Sequence, residues 1–103
     1  MELLRISMEI ESGQVVCRIS GDLDASSSPR LRSALAEQLE AGSDVVVDLS
    51  GLGFVDSSGL GVLVGALKRF GAGGHALSLR APTASFHRVL ETTGLSKAFV
   101  VEP

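Results

Sequence analysis

In this 103-residue sequence the grouping best suited to chemistry is Asp56-Ser57-Ser58-Gly59, a carboxylate followed by two hydroxyls and a glycine. Before them, Asp48 to Val55 reads as the end of a strand and a short loop. After them, Leu60, Leu63, Val64 and Leu67 fall at the i, i+3, i+4, i+7 spacing of a helix. The serines therefore lie at a strand-to-helix junction. Aspartate and serine in that place are ordinary helix caps. Two adjacent hydroxyls at an exposed helix start are also good phosphate acceptors. Free backbone N–H groups and the positive end of the helix dipole face anything attached there. A phosphate would add about −1.5 to −2 charges beside Asp56 without melting the helix.

Other chemistries find less support. His75 and His87 are far apart, and no His, Cys or acidic cluster has metal-ligand spacing. Cys17 sits mid-strand, where a small buried hydrophobe is the ordinary reading. Gly51-Leu52-Gly53 lacks the glycine spacing and the Lys-Ser/Thr ending of a phosphate-binding loop. No base lies near Ser57 in sequence, and there is no Gly-x-Ser-x-Gly elbow, which argues against a small α/β hydrolase. No enzyme activity, cofactor or metal is expected. Nine Lys and Arg against 12 Asp and Glu give a net charge of −3, the wrong sign for a nucleic-acid binder. With no Trp, no Tyr and four Phe, a stacking platform for single strands is not expected either. The start, MELLRISMEIESG, has no apolar signal-peptide core, and the run near Leu60 to Leu67 is too short for a bilayer. One cysteine fits a reducing compartment. A cytoplasmic protein without a membrane partner is the expectation.

The strands and helices around the serines follow from period and punctuation. Leu3 to Glu11 alternates as a strand, Ser12-Gly13 turns, and Val15 to Ser20 alternates back as the second strand of a hairpin. Gly21 to Ser28 reads as a loop. Ser28 as N-cap and Pro29 at the first position open a helix to Ala41, striped by Leu31, Ala34, Leu35 and Leu39 and stopped by Gly42. Asp44 to Leu49, with Val45-Val46-Val47, fits a strand buried on both faces. A helix over Ser57–Phe70, a strand over Ala76–Arg80, a helix over Thr83–Thr93 and a last strand over Ala98–Val101 complete the order β-β-α-β-α-β-α-β. That order is one α/β domain with a mixed, mostly parallel sheet packed by helices. Leu35, Leu63, Leu67 and Val89 are expected in its core. In such a sheet the Gly21–Ser28 loop and the Asp56–Gly61 segment both follow carboxyl ends of neighbouring parallel strands, where sites gather. Asp24 is then either a charge presented beside Ser57 or a turn residue bonding its own backbone.

Asp56-Ser57-Ser58-Gly59-Leu60-Gly61-Val62-Leu63 resembles the signature of the STAS domain, in its bacterial anti-sigma factor antagonist branch. Gly21-Asp22-Leu23-Asp24 resembles that family's loop after the second strand. Val46-Val47-Asp48-Leu49 resembles its third strand, and Thr93-Gly94-Leu95 with Phe99 its late Gly-Leu and final strand. The resemblance covers almost the whole chain, residues 1–103, as a single domain. It implies partner switching. The unphosphorylated protein binds an anti-sigma factor that is also a serine kinase of an ATPase fold, and sigma factor is released. Phosphorylation of Ser57 turns binding off, with Ser58 as the second candidate, and a serine phosphatase restores it. Asp22, Asp24, Asp56, Ser57, Ser58, Gly59, Leu60 and Gly61 would form the binding face. The family usually adds a helix after the last strand, where this sequence stops at Val101-Glu102-Pro103. The alternative within the resemblance is a STAS subunit of a stressosome-like scaffold or of a lipid-transport ABC complex, without the phosphate switch.

Overall fold

Ser12 and Gly13 both take positive φ, 50° and 82°, and so fold the chain back on itself in a two-residue turn. The computed structural model describes residues 2–103. The turn joins β1 (Arg5–Glu11) to β2 (Gln14–Leu23) as an antiparallel pair, with Glu11 opposite Gln14 and Met8 opposite Cys17. Three helical crossovers follow: α1 (Ser28–Glu40) to β3 (Val45–Val55), α2 (Ser57–Ala72) to β4 (Leu77–Arg80), and α3 (Ala84–Thr93) to β5 (Val101–Glu102). The sheet runs β1-β2-β3-β4-β5, parallel from β2 onward. Successive right-handed crossovers stepping in one direction place every helix on the same face. One cluster accordingly joins Leu31 and Leu35 of α1, Leu63, Ala66 and Phe70 of α2, and Phe86 and Leu90 of α3 to Cys17, Ile19, Val45, Val47, Leu49, Leu77 and Leu79 of the sheet.

The expected fold class and element order hold. Leu35 and Leu63 are fully buried, whereas Leu67 and Val89 pack at the margin of the core, partly exposed. β1 begins two residues later than expected, at Arg5, and α2 runs two residues further, to Ala72; four other boundary differences bear on the packing. The predicted loop from Gly21 is strand as far as Leu23, and β3 continues to Val55 rather than stopping at Leu49. The two extensions pair with each other, Ser20 with Gly51 and Leu23 with Val55, after register shifts that place extra residues in β3. Ser50, Gly51 and Gly53 break the alternation because they belong to bulges, where glycine admits the partner backbone. A Cβ on Gly51 would lie 2.8 Å from that of Ser20. At α1 the helix begins at Ser28 itself and the N-cap is Ser27, with no side-chain cap bond. The Ser27 hydroxyl instead donates to the Asp22 carbonyl at 2.9 Å. Near the end, Leu95–Lys97 forms a 3-10 turn, so the last strand is only Val101–Glu102.

Val45 to Leu49 is buried throughout, as its composition predicts. Among the described residues no helix packs on the second face. There Val16 and Val46 lie side by side in the register, with Glu9, Arg18, Asp48 and Arg80 around them. Charged side chains with long apolar stems close that face.

Candidate functional site

The junction of β3 and α2 is built by three local contacts. The Asp56 amide donates to the Leu23 carbonyl at 3.1 Å, which ties the end of β3 to the end of β2. The Asp56 carboxylate turns inward and accepts the amides of Ser58 at 2.9 Å and Gly59 at 3.1 Å. It is the N-cap of a 16-residue helix. Gly59 then presses against β2. A Cβ there would fall 2.5 Å from Leu23 Cγ and 2.9 Å from the Leu23 carbonyl oxygen. No other residue fits without moving the helix.

With the cap supplied by Asp56, both serine hydroxyls are left to solvent. Ser57 and Ser58 are exposed, and neither hydroxyl has a hydrogen-bond partner among the described residues. Ser58 gives the helix start only its amide. Two of the N–H groups that could receive a phosphate on Ser57 are therefore occupied by Asp56. Leu60 is half-buried, and Gly61 is exposed with nothing within 4 Å of where its Cβ would be.

Asp24 follows Leu23 directly, and Leu23 pairs with Val55, so the Asp24 turn and the Ser57 junction adjoin at the carboxyl ends of two neighbouring strands. Its carboxylate accepts the Ser26 hydroxyl at 2.8 Å, the Ser26 amide at 3.0 Å and the Ser27 amide at 3.0 Å. The Ser26 hydroxyl and then the Ser27 amide hold its pKa below the usual aspartate value. Asp24 is thus a turn-building carboxylate, while remaining partly exposed. Asp22 accepts the Glu2 amide at 3.1 Å and fastens the chain start to the same end of the sheet. Asp22, Asp24 and Asp56 make that end acidic. Beside it, Phe54 is 51% exposed and borders a shallow groove with Leu52, Thr83, Phe86 and Val89.

The alternation of the sequence gave no sign of a second polar constellation, on the helix-free face. Asp48, buried, accepts Arg18 at 3.1 Å, Arg80 at 2.9 and 3.0 Å, and the hydroxyl and amide of Ser50 at 2.6 and 2.9 Å. Arg18 also pairs with Glu9 and Glu11, and Arg80 with Glu11. Burial pushes the Asp48 carboxyl up, but the Ser50 hydroxyl and amide and Arg80 together outweigh it and leave the pKa lowered. These residues are 30 and 32 positions apart, and only the strand register brings them together. Cys17 is buried, and burial alone pushes its thiol up to about 12, so it is an inert hydrophobe at neutral pH. His75 pairs with Asp44 and His87 with Glu91.

Comparison with known proteins agrees with this architecture. The family profile described as "Mlab, STAS domain" matches residues 6–102, and the chain belongs to the STAS domain family. The anti-sigma F factor antagonist of Paenibacillus polymyxa is 34% identical over 96 residues, 91% of this chain and 82% of that protein. The anti-sigma-B factor antagonist of Bacillus subtilis is 30% identical over 92 residues, covering 89% and 84%. An anti-sigma factor antagonist from Mycobacterium paratuberculosis, solved by crystallography, superposes with a TM-score of 0.88 at 26% identity, over 98% of this chain and 86% of that one.

Proposed function

We propose that this protein is an anti-sigma factor antagonist that switches partners through Ser57. In its unphosphorylated form it binds an anti-sigma factor that is also a serine kinase of the ATPase fold, so that sigma factor is released. The kinase phosphorylates Ser57, and a serine phosphatase resets the protein. The binding face comprises Asp22, Asp24 and the run Asp56, Ser57, Ser58, Gly59, Leu60 and Gly61. The observation that carries this reading is the Ser57 hydroxyl: exposed, unpartnered, and held at the first position of α2 by the Asp56 cap and the Gly59 contact. Relatives named as antagonists of anti-sigma factors support the class of partner.

Phosphate on Ser57 acts by charge. Asp56 already holds the Ser58 and Gly59 amides, so the new dianion stands beside a carboxylate on an acidic surface. The dipole of α2 favours it, which keeps the helix folded. A partner surface that fits the bare serine must then desolvate or repel that charge. A loss of about 3 kcal/mol would lower affinity more than a hundredfold.

The test is mass spectrometry of the protein with ATP and the ATPase-fold protein captured from lysate of its own source. One added phosphate mapped to Ser57, with binding lost, is the expected result. Ser57→Ala should bind and resist the kinase, and Ser58→Ala should still accept phosphate. Full labelling of Ser57→Ala would move the acceptor to Ser58. No labelling of wild type, with the protein found in a stable larger assembly, would favour the scaffold or transport-subunit role instead.

A further inference from the structure

The hairpin leaves β1 as a free edge of the sheet. Its two-residue turn makes Glu11 and Gln14 a hydrogen-bonded pair, and alternation extends this to Glu9 with Val16, Ser7 with Arg18 and Arg5 with Ser20. The N–H and C=O groups of Ile6, Met8 and Ile10 therefore point away from β2. No other described segment hydrogen-bonds to them. β1 has seven residues, no proline and no bulge, and its charged side chains, Arg5, Glu9 and Glu11, carry both signs and so can pair with a second strand rather than only repel it. Ile10 lies on the core side of the sheet, opposite Val15, yet is 72% exposed. Arg5, on the other side, has no carboxylate within ion-pair distance among the described residues.

We propose that β1 pairs antiparallel with β1 of a second copy of this chain, about a two-fold axis at Met8, so that the two sheets become one. Only registers that place Ile6, Met8 and Ile10 opposite one another use the outward groups. The register centred on Met8 sets Arg5 opposite Glu11 and Ile6 opposite Ile10, each twice, with Ser7 opposite Glu9. A shift of two residues one way sets Glu9 opposite itself. The same shift the other way keeps one charge pair, Arg5 with Glu9, but sets Ile10 and Glu11 against Leu4 and Leu3, outside the strand. Opposite charges and apolar pairs across strands stabilise a ladder, and like charges oppose it.

Charge and apolar exposure favour the same register independently. On the open face Glu9, Glu11 and Asp48 pair, among the described residues, with Arg18 and Arg80 alone, and Arg5 of the second copy supplies the third cation. On the core face Ile6 of each copy covers Ile10 of the other. The two-fold keeps both helix layers on one side of the joined sheet. The junction of β3 and α2 lies two strands in from this edge, so Ser57 stays open in the dimer.

Sedimentation velocity over a concentration series tests this without any partner. Wild type should move from the 10.7 kDa chain mass toward twice that value. Ile10→Lys and Arg5→Glu touch neither the core nor the Asp48 network. Each should keep the far-UV circular dichroism of wild type and raise the midpoint concentration by at least about tenfold. Glu11 also pairs with Arg18 and Arg80, so Glu11→Arg chains are first shown to keep the far-UV circular dichroism of wild type; mixed with Arg5→Glu chains they should then restore dimer, because both charge pairs are complementary in the mixed species alone. Wild type remaining at single-chain mass up to about 1 mM, or a dimer indifferent to Ile10→Lys and Arg5→Glu, overturns the proposal.

Discussion

Gly59 and Gly61 are two residues apart, and the structure assigns them opposite roles. Gly59 is buried against Leu23, and a methyl group there would meet Leu23 Cγ at 2.5 Å. Gly59→Ala should therefore cost about 1–3 kcal/mol by overpacking and loosen the junction that holds Ser57; a chemical melt with unchanged midpoint would contradict that contact. Gly61 is exposed, inside a helix, with nothing near its missing Cβ. Gly61→Ala should raise stability by about 0.5–1 kcal/mol, the helical advantage of alanine. If a partner seats on this face, the same change should weaken its binding while the protein melts later. Opposite signs in calorimetry and in titration of the partner would locate the interface at Gly61; parallel changes would remove Gly61 from it. The cap is a third case. Asp56→Ala leaves the Ser58 and Gly59 amides without their acceptor and should cost about 0.5–2 kcal/mol in a denaturant melt.

Each element is placed by a stripe and a stop. α2 lays Val62, Leu63, Ala66 and Phe70 on the sheet, and Gly73 and Gly74 end it. Leu63 is fully buried at the centre of that stripe. Leu63→Ala should cost about 2–5 kcal/mol through the cavity it leaves, whereas Leu67→Ala, at the margin, should cost less. Equal costs in parallel urea melts would show that the helix sits rotated from this orientation. α3 is held by Thr83, whose hydroxyl accepts the Phe86 amide at 3.2 Å, and by Gly94 in the left-handed conformation. These signals are local, so the start and end of α3 lie within a residue of where the sequence puts them. The length of β3 is different. Its last six residues are strand only because β2 runs beside them, and glycine-bearing bulges rather than alternation carry the pairing.

Across the whole molecule, the helix-free face makes the fold sensitive to acid. Asp48 and Glu11 both have lowered pKa values, Asp48 despite burial and Glu11 chiefly through Arg80 and then Arg18. A carboxylate whose folded pKa lies below its unfolded one contributes stability that is fully present above the unfolded value. That contribution is lost as pH falls through the folded one. Unfolding free energy should therefore be level through neutral pH and fall below the ordinary carboxylate range, near pH 4 and lower. Asp48→Asn should flatten that fall and cost about 1–3 kcal/mol at neutral pH, because Arg18 and Arg80 lose a charged acceptor. An unchanged acid limb in equilibrium melts would place the titration elsewhere. Glu9, Glu11 and Arg18 are more exposed, and their share should weaken with salt.

The features readable from the order of residues are those that rest on local physics. Turn residues at Ser12-Gly13, the leucine spacing of α1 and α2, and the β-branched run at Val45 fix the element order and the fold class, because propensity and period act over a few residues. The junction at Asp56–Gly59 was legible for the same reason: capping is a matter of three or four consecutive positions. Features that depend on register needed the folded sheet. It joined Arg18, Asp48 and Arg80 across three strands and carried β2 and β3 past their glycines. The bonds of Asp24 to Ser26 and Ser27, and of Asp56 to the Ser58 and Gly59 amides, span two or three positions and are local turn and cap chemistry. A strand's alternation says which residues share a face, but not which residue of the next strand stands opposite. That choice is made by the packing of the whole sheet against its helices, and it decides which charges meet.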